Sequence, residues 1–344
     1  MKKMMLLMAA ALLAFACARV SDVPQVDENS TSTKAVSENG CSRPSITADG
    51  GAYHRAEFGS AFKSWLTANG YTTYTKYFYS TTSPNSSVKS FSGWGGADQA
   101  VSTCKVTKDP VIFIHGNTDS AQDWAFDGIM AATGSPRNDF VAAGYNANEL
   151  FALSVNNPQM MASTNNYHAA DQLTKIKNFI LAVKAYTGRS RVDVIGHSLG
   201  VTMARRAIQD NNLGTSIDTF VGIAGGNHGM YTCGTYPAPM MTTKTCGAYL
   251  YWGWPIYVDG LAMNSPHLKN LGEDVPGANK VYTIYSWAND ELLLGFTSTA
   301  KINYAEKNCD VRWTTGHYGL MHSTGAKQVA MVRDNNPDGG GICY

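Results

Sequence analysis

The feature that most narrows what this chain can become is a junction. Val192-Asp193-Val194-Ile195 passes without a spacer into Gly196-His197-Ser198-Leu199-Gly200, and a helical pattern follows. A short β-branched run ending at glycine reads as a buried strand, and Val201, Ala204 and Ile208 recur at the spacing of one helix face. The serine between them must occupy a sharp strand-to-helix turn, and glycines at 196 and 200 remove two Cβ atoms from it. The pentapeptide alone arises by chance fairly often, but with a strand before it and a helix after it the context is that of a nucleophile elbow.

Similar runs recur at Val111 to Ile114, Leu150 to Val155, Phe220 to Ala224 and Val281 to Tyr285. Between the second of these and the junction, Leu173, Ile176, Ile180 and Val183 step by three and four, as on a helix face. Alternation of this kind predicts one α/β domain over 41–344, a mostly parallel sheet with helices on both faces. Ligands then bind beyond the carboxyl ends of the strands, so the chemistry belongs just after each run.

Lys2 and Lys3, the apolar run from Met4 to Phe15 and the pair Ala14-x-Ala16 lay out a signal peptide over 1–16, which implies secretion. Cleavage there makes Cys17 the new terminus; lipidation of Cys17, with anchoring at the cell surface, is the alternative, although Ala14 stands where a leucine is expected. Residues 17–40 read as a propeptide or flexible tether. With charged residues at 15% and a net charge of +1, there is no basic stripe to grip nucleic acid. The other six cysteines suit three disulfides in an exported protein. Proximity favours Cys41 with Cys104, Cys233 with Cys246 and Cys309 with Cys343, free thiols being the other possibility.

A serine nucleophile needs an oxyanion hole, a base and a carboxylate that holds the base in one tautomer. One backbone donor follows the nucleophile, at Leu199; the second is expected at Asn117, in the loop Ile114-His115-Gly116-Asn117 after an earlier strand. The run Val281 to Tyr285 leads to Asp290, the expected acid, with Glu291 as its rival. Of the histidines beyond it, His317 in Gly316-His317-Tyr318-Gly319 is expected as base, and His322 as a packed or capping residue. His115, His197 and His228 also fall near these loops, and each sits inside a hydrolase motif without a carboxylate at metal-ligand spacing. No metal or other cofactor is expected.

An insert over about 230–280 is rich in Tyr, Trp and Met. Trp252 and Trp254, with His115, are the expected substrate contacts, the insert's aromatics either lining a pocket or packing as core beneath it.

Together these segments resemble the secreted class 2 triacylglycerol lipases and the related extracellular poly(3-hydroxybutyrate) depolymerases. The likeness is carried by Pro110 to Asn117, Gly196 to Gly200, Ala224 to Gly229, Ile284-Tyr285-Ser286 leading to Asp290, and Gly316 to Ser323. It covers roughly 105–335, whereas the stretch from Cys41 to Cys104 matches nothing. The resemblance implies an α/β-hydrolase fold, a Ser198, Asp290 and His317 triad, and an oxyanion hole of Asn117 and Leu199. Leu199 departs from the methionine common in the minimal bacterial lipases, but only its backbone is needed. A monomeric lipase or esterase acting on a lipid or polyester substrate, in places at an interface, is therefore expected. A polyhydroxyalkanoate depolymerase is the nearest alternative, and an inactive surface binding protein on the same scaffold a more distant one.

Overall fold

Period-two alternation inside the short apolar runs decides the layering. In the computed structural model, which describes residues 35–344 apart from 45, 49–53, 56, 76, 80–88, 92, 118, 126–133, 156–167, 294–296 and 313–315, Val111 and Phe113 enter one core while Ile112 and Ile114 enter the other. Leu150 and Ala152 are likewise parted from Phe151 and Leu153. A strand buried on both faces belongs inside a sheet covered on both sides.

That sheet has seven strands: β1 (Gly93–Gly95), β2 (Val111–Ile114), β3 (Leu150–Leu153), β4 (Val192–His197), β5 (Ile217–Ile223), β6 (Lys280–Tyr285) and β7 (Lys307–Asp310), in the order β7-β6-β5-β4-β2-β3-β1. Six run parallel, and β1 pairs antiparallel with β3 at one edge. Helices α1 (Ser60–Ala68), α3 (Ala170–Thr187) and α4 (Leu199–Asp210) pack on one face; α2 (Pro136–Ala142), α5 (Gly316–Ser323) and α6 (Gly325–Asp334) pack on the other. In α3 the expected Leu173, Ile176, Ile180 and Val183 are buried together with Phe179 and Tyr186. Gly188, left-handed at φ 68°, ends that helix where a Cβ would be strained.

Register places the chemistry. Ile114 pairs with Gly196, Gly196 with Gly222, Gly222 with Thr283 and Thr283 with Asn308. Strands β2, β4, β5, β6 and β7 thus end almost level, and the loops that follow them meet at one edge.

All three disulfides join the pairs favoured by proximity, with Cα separations of 5.5, 5.0 and 4.9 Å for Cys41–Cys104, Cys233–Cys246 and Cys309–Cys343. At the other end, the described chain begins six residues before Cys41. Ala35–Glu38 forms a strand antiparallel to Cys41–Pro44, inside the stretch expected as tether. Glu38 is the reason, since its buried carboxylate lies between Arg137 and Arg43. Residues 1–34, with the expected signal peptide and Cys17, lie outside the described residues. Among the described residues no helix is long and apolar enough to cross a membrane.

Candidate active site

Ser198 occupies the turn between β4 and α4 at φ 53° and ψ −123°, a region that side chains with a Cβ rarely adopt. Its N–H donates to the Ile223 carbonyl at 2.8 Å, so the neighbouring strand holds the turn in place. A Cβ on Gly196 would come within 2.9 Å of the Val201 Cα, and one on Gly200 within 2.3 Å of the His115 carbonyl oxygen. Both glycines of the pentapeptide are therefore required by contact. Leu199 opens α4, where the first N–H groups of a helix have no intrahelical acceptor.

The loop after β2 comes equally close. A Cβ on Gly116 would stand 2.9 Å from the Ser198 Cβ, so Asn117, the next residue, lies beside the elbow.

Asp290 and His317 are both buried, and the His317 Nδ1 lies 2.9 Å from each carboxylate oxygen of Asp290. Asp290 Oδ1 also accepts from the backbone N–H groups of Leu292 and Leu293, at 3.1 and 2.9 Å. Burial pushes the Asp290 carboxyl up, but the charge and hydrogen bond of His317 and these N–H donors outweigh it and hold it low. For His317 burial works downward, and the charge and hydrogen bond of Asp290, helped by Glu291 and Asp119, raise it instead. The hydrogen bond to Asp290 fixes a hydrogen on Nδ1, so that in the neutral ring Nε2 is bare. Nε2 makes no hydrogen bond among the described residues, Ser198 included; such contacts are often long without substrate and tighten when it binds.

Glu291, the rival acid, serves elsewhere, its Oε2 accepting the His317 backbone N–H at 2.8 Å. Gly316 makes room for it, being left-handed at φ 87° and placed so that a Cβ would lie 2.5 Å from that oxygen. His322 points its Nδ1 at the Gly134 carbonyl, 3.1 Å away, as a packed histidine.

His115 departs from expectation. It is buried, its Nδ1 donates to the Gly116 carbonyl at 2.7 Å, and its Nε2 accepts the Val155 N–H at 2.9 Å. With both nitrogens engaged by backbone, it braces the loop after β2 and has none left for a substrate. Burial lowers its pKa to about 4, so it stays neutral. His228 is also engaged, with the Ser298 carbonyl and the Glu273 carboxylate, and among the described residues no three His, Cys, Asp or Glu side chains converge on a metal position.

Trp252 and Trp254, the other expected substrate contacts, lie on the surface. They cap a hairpin of Ala248–Tyr251 and Trp254–Tyr257 and are 86% and 75% exposed, with Leu250 and Tyr251 exposed beside them. Among the described residues the insert enters the core at its base, with Cys233, Cys246, Leu261 and Leu268 among the side chains buried there. Two contacts that sequence reasoning missed bind it to α4. Arg205 donates to Asn227 Oδ1 and to the Gly272 and Asp274 carbonyls at 2.8 to 2.9 Å. His168 and His267 stack at 3.5 Å, and His168 Nε2 donates to Thr202 Oγ1 at 2.7 Å. Neither carries a local sequence signal, because the partners are distant in the chain.

A family model described as lipase (class 2) matches residues 108–331, which include all of these loops. The chain belongs to the class 2 lipases. It is a carboxylic-ester hydrolase of the α/β-hydrolase fold. No curated protein sequence matches this lipase. Among solved structures it is similar to Bacillus licheniformis lipase BlEst2 in mature form, at 15% identity and a TM-score of 0.43 over 65% of this chain and 91% of that one. It is also similar to Aspergillus fumigatus lipase B, at 17% and 0.46 over 68% and 54%. The esterase domain of a Rhodothermus marinus protein is similar at 12% and 0.39 over 68% and 88%.

Proposed function

We propose that this class 2 lipase is an exported serine esterase that works through an acyl-enzyme on Ser198. The observation that carries the reading is the buried Asp290 and His317 pair, which leaves a bare Nε2 near the strained Ser198 turn. Ser198 Oγ attacks the ester carbonyl while His317 Nε2 takes its proton, and Asp290 stabilises the imidazolium that results. The N–H groups of Leu199 and Asn117 hold the oxyanion, each donor being worth on the order of a hundred- to a thousand-fold in turnover. His317 then protonates the departing alcohol, and water, deprotonated by the same nitrogen, releases the acid and restores Ser198.

Three disulfides and the charged-then-apolar start of the sequence support export. The exposed aromatic hairpin favours an insoluble substrate, a lipid interface or, as the second reading, a solid polyester. Hydrolysis of p-nitrophenyl esters from acetate to palmitate, run beside a polyhydroxybutyrate suspension and repeated with Ser198→Ala, tests this. We expect ester cleavage that the substitution abolishes, and the preferred substrate separates lipase from depolymerase. An inert wild type, or an active Ser198→Ala, would overturn the assignment.

A further inference from the structure

Next to the Asp290 and His317 pair lies a second carboxylate and a second imidazole. His197, the residue before Ser198, is fully buried, and its ring stands 4.9 Å from that of His317. Its Nε2 lies 3.1 Å from the His317 backbone carbonyl. A carbonyl oxygen can only accept, so Nε2 holds a hydrogen and donates it. In a neutral ring Nδ1 is then a bare acceptor. Opposite it, at 3.4 Å, is Asp119 Oδ2, an acceptor as well. Both atoms are buried, and neither has another hydrogen-bond partner among the described residues.

Two buried acceptors facing each other without a hydrogen are costly. The approach is nonetheless built in: a Cβ on Gly116 would lie 2.9 Å from His197 Nδ1 and 3.0 Å from Asp119 Oδ2. One proton between the two atoms removes the conflict and balances the carboxylate's charge.

We propose that Asp119 and His197 form a second carboxylate–imidazole couple that shares a proton taken from solvent and, through the hydrogen bond to the His317 carbonyl, positions His317 for Ser198. The proposal rests on the reading of His317 as general base. Both members are positioning residues, acting on the reaction through His317. The couple also joins the loop carrying Asn117 to the segment carrying His317, so that oxyanion donor and base share one brace. The other titratable groups facing it are His115 on its own loop, Tyr318 beside His317, Asp290 and Glu291 after β6, and Lys175 of α3, which bears on His115. His115 is neutral, and the carboxylates of Asp290 and Glu291 are engaged by His317. Asp119 is thus the carboxylate in reach of His197 Nδ1.

The test combines imidazole 15N NMR with kinetics on the intact protein. In the wild type near neutral pH both His197 nitrogens are expected to carry hydrogen. In Asp119→Asn the amide can donate to Nδ1 without a bound proton, so the ring should revert to hydrogen on Nε2 alone, and kcat should be largely retained. Asp119→Ala lacks any partner for the ring and should lower kcat by up to about a hundred-fold, the cost of misplacing a catalytic group by roughly 1 Å, with KM little changed. A singly protonated His197 in both wild type and Asp119→Asn, or a kcat for Asp119→Ala equal to wild type, would overturn the proposal. An inert wild type would instead sink the triad reading, and the NMR comparison remains readable in that case and in the event that Asp119→Ala does not fold.

Discussion

The edge where β2, β4, β5 and β6 end and the hairpin at Trp252 break the usual rule of burial in opposite directions. At the first, Asp290, His197 and His317 are kept from water; at the second, Leu250, Tyr251, Trp252 and Trp254 are left in it. A buried polar group must find partners; at the strand ends Asp290 has them, whereas His317 Nε2, His197 Nδ1 and Asp119 Oδ2 are buried without a hydrogen bond among the described residues. An exposed aromatic needs no partner to persist, because a folded protein tolerates scattered apolar surface. A contiguous run on one hairpin is less ordinary, and larger exposed patches of this kind are typical of surfaces that meet something apolar. Under the proposed function, polar order would serve the chemistry and apolar exposure the approach to the substrate.

Breaking the polar side should have the largest effect. Asp290→Asn leaves the shape but favours the wrong His317 tautomer, and kcat should fall by about 10⁴-fold in steady-state assays. The pH profile sharpens the point. His317 must be neutral to accept a proton and its pKa is raised above the ordinary 6.5, so kcat/KM should climb with pH through a value above 6.5. In Asp290→Asn the residual activity should climb at lower pH. For stability the same pair works within a window. The raised His317 contributes below its unfolded value and ceases to as pH rises past its folded one; the lowered Asp290 contributes above its unfolded value and is lost on acidification.

Arg205→Leu comes next. It strands Asn227 and two carbonyls that α4 shares with the insert, and denaturant unfolding should show a loss of about 3 kcal/mol. The hairpin should respond in the reverse sense. Trp252→Ser with Trp254→Ser should change stability by no more than about 0.5 kcal/mol, yet lower adsorption to lipid or polyester particles severalfold in a sedimentation assay. A large loss of stability there would mean the tryptophans are structural and would end the contrast.

The centre of the sheet was legible in the sequence and its margins were not. The five apolar runs became strands because each is buried on both faces, where composition and conformation agree. By contrast, β1 is Gly93-Trp94-Gly95 and β7 is Lys307-Asn308-Cys309-Asp310, segments that become strands because a neighbour offers hydrogen bonds. At the site, Ser198, Asp290 and His317 lie at the ends of readable elements, but the parts played by Asp119, Glu291 and His115 depend on what the folded chain brings opposite them. The insert's aromatics were ambiguous for a simpler reason, since Trp and Tyr suit a core, a pocket and a surface alike.

The salt-linked hairpin at the start of the described chain has a practical consequence. Arg137 is buried and close to Glu38, while Arg43 reaches the other carboxylate oxygen at 2.7 Å. A version of the protein trimmed to begin at Cys41 would keep its disulfide to Cys104 and lose the anion that neutralises Arg137. Stranding a buried guanidinium costs several kcal/mol, so recombinant boundaries drawn at the first cysteine should give poor yields of folded protein. Boundaries drawn at or before Ala35 should not.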